Sequence, residues 1–186
     1  MAYKLNMAAG QRAERKMLIT IAAWKENEEQ KAAILGTRTE DSSVEYNGDV
    51  NTSTDIRGIN YTDLGKTQPQ QSFDPAYIIG GDALTEYMAR AALENNINAY
   101  NGVFDIYLVA AFLKDGEKFH TTKHTGCSII PQSLGGSDFV SLPYDVYFSN
   151  NIVKGSVKSI AAADLLAIAE KFEPEAAAEP ANTENN

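Results

Sequence analysis

The chain has 186 residues, of which 44% are hydrophobic, and this is enough to bury the core of one domain with appendages. Its formal net charge of -9 argues against a surface that grips nucleic-acid phosphates through cations. The single cysteine, Cys127, excludes an intrachain disulfide framework. Since the sequence has no apolar signal region and no apolar run of membrane length, we expect a soluble protein of a reducing compartment, with no membrane partner.

Charge divides the sequence into three parts. Residues 1–16 carry four cations against one carboxylate, a net charge of +3, and form a predicted N-terminal arm. Residues 17–158 form the predicted body, and residues 159–186 a predicted C-terminal helix followed by an acidic, flexible tail. The basic arm either docks on a neighbouring copy of the chain or stays solvated, and charge alone does not choose between these two readings.

The first half of the body predicts short strands around one amphipathic helix. Strand-forming residues occur at 17–24, 32–35, 44–46 and 72–79, and the alanines of 17–24 leave a helix as the alternative there. The helix is predicted over 82–96, because Asp82 suits the N-cap and Leu84, Met88 and Ala91 recur at helical spacing. A helix with a single apolar stripe has to lie against a sheet.

Residues 47–71 follow neither a strand period nor a helix period. The stretch is rich in Gly, Asn, Asp, Thr and Gln, with isolated apolar residues between them. A long loop of this kind inside a compact domain is usually functional. We therefore predict a loop that orders against a partner surface, with an internal lid or plain flexibility as the alternatives.

The second half predicts further antiparallel strands. They lie at 103–113, 119–130, 139–149 and 152–157, with a hairpin turn at Asp115–Gly116 and a loop at 131–137. Residues 160–172 have helical spacing, and the tail from Glu173 has too little apolar surface to fold. The predicted fold class is mainly β, an antiparallel β-sandwich with one flanking α-helix, a long loop and extended terminal arms.

No pattern in the sequence supports catalysis or a bound cofactor. His120, His124 and Cys127 are the only metal-like set, but on a straight strand the two histidines lie about 13 Å apart and Cys127 points to the other face. The sequence has no nucleophile elbow and no Walker loop, and its carboxylates are dispersed. We therefore predict a protein that is not an enzyme and has no cofactor and no metal.

Several short segments resemble the major tail tube proteins of long, non-contractile-tailed bacteriophages. They are LGT at 35–37, EDSSVEYN at 40–47, TDI at 54–56, YTD at 61–63, KT at 66–67 and QSFDP at 71–75, then IP at 130–131, SLGG at 133–136 and the stretch 144–150. The resemblance covers roughly residues 18–157. The basic arm and the acidic tail lie outside it.

The resemblance implies a structural virion protein that polymerises as stacked hexameric rings into a hollow tube. Its implied partners are other copies of itself, a tape-measure protein, a tail terminator and DNA that passes through the lumen without specific binding. Synthesis in the bacterial cytoplasm and a final location in the virion tail would follow. Net negative charge suits such a lumen, because a like-charged wall keeps DNA from adhering.

The resemblance also implies roles for individual residues. The loop 47–71 would be the contact between rings, and the lumen would be lined by acidic strand residues. The residues in question are Asp55, Ile56, Ile59, Tyr61 and Leu64 for the ring contact, and Glu40, Glu45 and Asp145 for the lumen. The alternatives are a monomeric β-sandwich module that binds through the same loop, or a tube protein of a contractile injection system.

Overall fold

The structure is a computed structural model that describes residues 2–39 and 41–175; at positions 49, 63, 64 and 66 it describes the backbone alone. The described residues form ten strands and three α-helices. The strands are β1 (Lys4–Leu5), β2 (Leu18–Glu26), β3 (Glu29–Ile34), β4 (Val44–Thr54), β5 (Asn60–Phe73), β6 (Phe104–Asp115), β7 (Lys118–Pro131), β8 (Tyr144–Tyr147), β9 (Ile152–Val157) and β10 (Glu173–Pro174). The helices are α1 (Ala83–Leu93), α2 (Ala162–Leu166) and α3 (Ile168–Lys171).

All strand pairs are antiparallel, and the long strand β7 belongs to two sheets. The main path runs β3-β2-β6-β7-β8-β5-β4. The first part of β7 pairs with β6 and β9, and its last four residues pair with β8. The mainly β fold class with an antiparallel sheet is therefore confirmed.

The larger core cluster lies between α1 and the inner faces of both sheets. It is centred on Trp24, Phe104 and Met88, each of which is nearly or fully buried. The rings of Trp24 and Phe104 lie 6.0 Å apart between centroids. Burial of such aromatic groups contributes most of the stabilisation in a core of this kind.

A second core cluster covers the opposite face of the first sheet. Alternate residues of β2 and β6, such as Ile21 and Tyr107, pack there against Leu165 of α2 and Ile168 of α3. The sequence predicted one flanking helix, but the strands β2 and β6 are apolar on both faces and need a second helical layer. The predicted helix over 160–172 supplies it as two short helices rather than one.

Helix α1 lies within the predicted stretch 82–96, begins as predicted and ends three residues earlier. The Asp82 carboxylate accepts a hydrogen bond from the Leu84 amide (3.1 Å), as an N-cap residue does. The helix ends at Leu93, and Asn95 follows with a left-handed φ of 51°.

Two predicted strands are shorter in the structure than in the sequence-based prediction. The stretch 72–79 leaves the sheet after Phe73, at the cis peptide bond Asp74–Pro75, because proline cannot donate to a ladder. The stretch 139–149 forms a strand only over Tyr144–Tyr147, although the predicted inward face from Leu142 to Phe148 is buried.

Both terminal segments pair with the body's own sheet. Strand β1 pairs with Leu113 and Lys114 of β6, so the start of the arm is docked on its own chain, which neither sequence-based reading foresaw. The prediction that nothing folds after Phe172 is wrong for Glu173–Pro174, which form β10 against β9. The Glu173 carboxylate also bridges Lys118 (2.6 Å) and Lys158 (2.7 Å). Residues 176–186 lie outside the described part.

Candidate assembly interface

The predicted loop 47–71 is a two-stranded hairpin. Strand β4 pairs with β5 from Val44 opposite Gln71 to Thr54 opposite Asn60. Only Gln70–Phe73 of β5 also pair with β8. Residues 47–68, which we call the ribbon, therefore form a free two-stranded projection that extends roughly 25 Å from the body.

The sequence signal for this hairpin was present but weak. Val44, Tyr46 and Val50 recur at a spacing of two or four, and the strand between them carries Gly48 and only polar residues. Backbone pairing, with a register shift between Gly48 and Val50, holds the ladder despite the low strand propensity of these residues.

The apolar face of the ribbon continues the core-facing side of β4. Val44 packs against the larger core cluster, Tyr46 (67% exposed) follows at the root of the ribbon, and Val50 (58% exposed) lies on the same face within the ribbon. A two-stranded ribbon in water is marginally stable, and this one presents its apolar residues to solvent. An exposed apolar face of this kind marks a site where the surface of another protein binds.

The tip of the ribbon is held by the Asp55 carboxylate. It accepts hydrogen bonds from the amides of Arg57 (2.8 Å) and Ile59 (3.0 Å), and it pairs with the Arg57 guanidinium (3.0 Å). Gly58 takes a φ of 78°, which the positive-φ position of this short turn requires. The tip is thus preorganised and leaves the Ile56 side chain fully exposed.

Protonation of Asp55 is expected to loosen this tip. The amide hydrogen bond from Ile59, with further bonds from Arg57 and Tyr61, lowers the pKa of the Asp55 carboxyl below its ordinary value. A lowered pKa means that the turn hydrogen bonds are present above the ordinary pKa of about 4 and are lost as the pH falls through the lowered pKa.

We expect Asp55→Ala to reduce the hydrogen-exchange protection of the Arg57 and Ile59 amides by about five- to tenfold at neutral pH.

The matched control for this prediction is Asn51→Ala, an exposed ribbon residue away from the tip. Its protection factors at the tip should equal those of the wild type. Unchanged protection in Asp55→Ala would contradict the turn geometry.

A buried polar network anchors the root of the ribbon. The Gln71 side chain is fully buried, accepts from the Thr20 hydroxyl (2.9 Å) and donates to the Ser42 hydroxyl (3.0 Å). The Ser42 hydroxyl donates in turn to the Ser72 carbonyl (2.7 Å), and Arg15 of the arm donates to the Ser42 carbonyl (2.9 Å). Because each buried group has a partner, the network fixes the root in one arrangement.

The residues predicted for the ring contact lie together on the ribbon. Asp55, Ile56 and Ile59 belong to the turn, and Tyr61 lies on β5, where its hydroxyl donates to the Asp55 carboxylate (3.3 Å). Leu64 lies opposite Val50 in the ladder. Their role in a contact between copies remains a prediction.

Two of the predicted lumen residues share one face of the second sheet. Glu45 lies opposite Gln70 in the β4–β5 ladder, and Asp145 lies opposite Ser72 in the β5–β8 ladder. Since Gln70 and Ser72 are two residues apart, Glu45 and Asp145 are on the same side of the sheet, away from the core. Glu40 lies outside the described residues.

The histidines and the cysteine do not form a reactive site. Gly126 (φ 77°) forms a bulge in β7, so Cys127 lies opposite Phe104 in the larger core cluster, on the face where His124 packs on Phe148. The sequence-based prediction had placed Cys127 on the other face. The Cys127 thiol donates to the His124 carbonyl (3.4 Å), and burial raises its pKa, which disfavours the nucleophilic thiolate.

The two histidine side chains interact with different partners. His124 Nδ1 lies 2.9 Å from the Ser149 carbonyl, while the His120 ring packs on Tyr3 at 4.6 Å between centroids. Within residues 2–39 and 41–175, no group of three or more His, Cys, Asp or Glu residues is placed to hold a metal ion.

None of the described helices is both long and apolar enough to cross a membrane.

No protein-family model and no curated protein matches this sequence. Among solved structures, the chain is similar to the tube-terminating cap of the anti-feeding prophage (AFP), at 15% identity and a TM-score of 0.43, covering 82% of this chain and 96% of that one. It is also similar to a structure of the sheath-tube complex of the extracellular contractile injection system PVC, at 14% identity and a TM-score of 0.41, covering 80% and 95%.

A third similar structure is that of the AFP baseplate, at 10% identity and a TM-score of 0.44, covering 80% of this chain and 97% of that one. The PVC structure is that of a contractile injection system, whereas the sequence segments resemble the tube proteins of non-contractile tails. At TM-scores below 0.5, the likenesses by themselves identify neither a family nor a function for this chain.

Proposed function

We propose that this chain is a structural subunit that polymerises with copies of itself into a hollow phage-type tail tube. The observation that carries the proposal is the free ribbon, whose apolar face continues the core-facing side of β4 and is exposed in the single chain. A protein that acts alone gains nothing from such a projection, because it exposes apolar surface and unpaired strand edges.

Unpaired strand edges at both ends of the sheet path support the same proposal. Within the described residues, β3 pairs only with β2, and β4 pairs only with β5. An edge strand is a template for pairing with another chain. One molecule thus has two different strand edges, on β3 and β4, and a projecting ribbon. Surfaces that differ in this way suit a head-to-tail contact between copies, and such contacts close into a ring or continue as a filament.

The outward face of the second sheet suits the lumen of such a tube. Glu45 and Asp145 lie on that face together with the partly exposed Ile130 and Tyr147, so the face is mixed polar and apolar and its two described charged residues are acidic. Negative charge on such a wall repels the phosphate backbone and lets DNA pass without binding. In the full proposal, hexameric rings stack around a tape-measure protein, end at a terminator and conduct DNA from the virion tail.

The sequence segments favour the tube of a non-contractile tail, and the tube of a contractile injection system is the alternative form of the same proposal. A monomeric module that binds through the ribbon is the rival from another class. None of these functions requires catalysis.

Negative-stain electron microscopy of the purified full chain tests the proposal. We expect hollow tubes or stacked rings whose abundance rises with protein concentration, together with a high-molecular-weight fraction in sedimentation. A monodisperse monomer at all concentrations and ionic strengths would overturn the polymer and favour the binding module.

A further inference from the structure

The two ends of the described chain meet at one residue of β9. Tyr3, which directly precedes β1, donates a hydrogen bond from its hydroxyl to the Gly155 carbonyl (3.2 Å). Strand β10 pairs with the same part of β9, where Pro174 lies opposite Gly155. The N-terminal segment 3–5 and the C-terminal segment 172–175 therefore share one backbone position, although most of the chain lies between them.

The position of the C-terminal segment requires glycine at 155. A Cβ atom there would overlap the Glu173 carbonyl and the Phe172 ring. The Phe172 ring also packs edge-on against Tyr107 (5.5 Å between centroids), and the Glu175 amide donates to a carbonyl of β9 (2.9 Å). Close contact with a backbone that has no side chain thus holds the C-terminal segment on β9.

Tyr3 contacts the C-terminal segment as well as β9. Its hydroxyl also interacts with the Glu175 carboxylate, and burial together with this hydrogen bond raises the pKa of Tyr3. One hydroxyl group therefore has partners both in β9 and in the C-terminal segment. When residues belong to one network of contacts, the loss of one member changes the energy of the others.

His120 of β7 packs against the Tyr3 ring. The two ring centroids are 4.6 Å apart, and the ring planes are tilted by 57°. The Nδ1 atom of His120 is buried and has no hydrogen-bond partner among the described residues. Since both nitrogens of a protonated imidazole are donors, protonation would leave a cationic N–H group buried without an acceptor, which costs free energy.

The charges around His120 leave this cost in place. Burial lowers the pKa of His120, the Glu175 carboxylate raises it by a smaller amount, and the Lys154 ammonium lowers it further. The residues opposite His120 in the sheet are the uncharged Ala110 and Ser156. The net pKa is therefore below the ordinary value of about 6.5. The docked segments are favoured above that value, and this stabilisation is lost as the pH falls from it through the lowered pKa.

We propose that the segments 3–5 and 172–175 form one clasp, joined through Tyr3 and Gly155, which opens as a unit when His120 takes up a proton. The body of the sheet stays folded, because β9 keeps its pairing with β7 along its whole length. Acid thus releases both ends of the described chain without unfolding the domain. The clasp is a property of the single chain, so the inference goes beyond polymerisation and does not depend on it.

Hydrogen exchange of two backbone amides measures whether the clasp opens. The Asn6 amide donates to the Phe112 carbonyl (2.8 Å) and reports on the N-terminal segment, and the Glu175 amide reports on the C-terminal segment. When the pH is lowered from about 7.5 to about 5.5, we expect both protection factors, corrected for intrinsic exchange, to fall at least about threefold. The Val109 amide in the middle of β6 should keep its protection.

The variant His120→Phe keeps a ring against Tyr3 but cannot take up a proton. Both reporter amides should then stay protected at both pH values. The matched control is His124→Phe, which removes the only other histidine and should keep the response to pH. An NMR titration of the two imidazoles in the wild type gives the same assignment without a substitution, because the loss of protection should follow the His120 ring.

The variant Tyr3→Phe tests whether the two segments open together. It removes only the hydroxyl that contacts Gly155 and Glu175, so the protection of the Glu175 amide should fall at least about threefold at neutral pH. Lys4→Ala changes an exposed neighbour on β1 and should leave that amide unchanged. In the other direction, Gly155→Ala displaces the C-terminal segment and should lower the protection of the Asn6 amide. Circular dichroism confirms that each variant is folded.

Three results would overturn the clasp. An acid response that persists in His120→Phe would exclude His120 as the group that takes up the proton. Full protection of the Glu175 amide in Tyr3→Phe, or of the Asn6 amide in Gly155→Ala, would show that the two segments open separately. The amides are measured at protein concentrations below assembly, so the clasp and the tube are tested independently of each other.

Discussion

Excision of the outer ribbon should abolish elongation and leave a folded subunit. Residues 49–66 can be replaced by Asn-Gly, because Gly48 and Thr67 are directly paired and a two-residue turn joins such strands. No residue of the excised segment belongs to either core cluster, so we expect the free energy of unfolding to change by no more than ~1 kcal/mol. Electron microscopy should then show no tubes at concentrations where the wild type forms them.

Both strands have to be shortened in this experiment. Removal of residues 56–65 alone would leave the outer half of β4 without its partner and expose a new unpaired edge. The control is truncation after Glu175, which removes 11 residues at the C-terminus and leaves the ribbon intact. The control should elongate. Tubes formed by the excised variant would exclude the ribbon as the contact between rings, and global unfolding would show that it supports the body.

Truncation of Phe104 should cause a large loss of stability. The Phe104 ring is fully buried and lies 6.0 Å from the Trp24 ring and 6.2 Å from the Tyr87 ring, so its removal leaves a cavity between α1 and β6. For Phe104→Ala we expect a loss of about 3–5 kcal/mol in the free energy of unfolding. Urea denaturation followed by circular dichroism measures it, provided that the slope of the transition is unchanged.

Phe139→Ala is the matched control for this loss. Phe139 lies in the loop before β8 and is 75% exposed, so the same chemical change should alter stability by less than about 0.5 kcal/mol. Equal effects in the two variants would contradict the placement of Phe104 in the core. Because Phe139 is exposed, any effect of its truncation on elongation would report on assembly rather than on folding.

The sequence by itself determined the elements whose local signals agree with one another. Helix α1 combines an N-cap at Asp82, an apolar stripe and a left-handed Asn95, and all three are found. The hairpin at Gly116 and the strands β6, β7 and β9 likewise combine apolar residues with turn residues. Local propensity and burial favour the same conformation there, so a single sequence is enough to identify the element.

Elsewhere the local sequence has only a weak conformational preference. There the pairing of strands in the tertiary structure decided the conformation. The ribbon was predicted as a loop because Gly, Asn and Asp interrupt its strand-forming residues, yet its backbone completes a ladder that begins beside the buried Gln71. Strand β10 is polar in sequence and strand β1 has only two residues, but β9 and β6 offer them unpaired edges. The bulge at Gly126 moved Cys127 to the face opposite to the one that simple alternation predicts. The pairings of β1 with β6 and of β10 with β9, and the contact of Thr20 with Gln71 at the root of the ribbon, join residues that are distant in the chain, and no local pattern records such a partner.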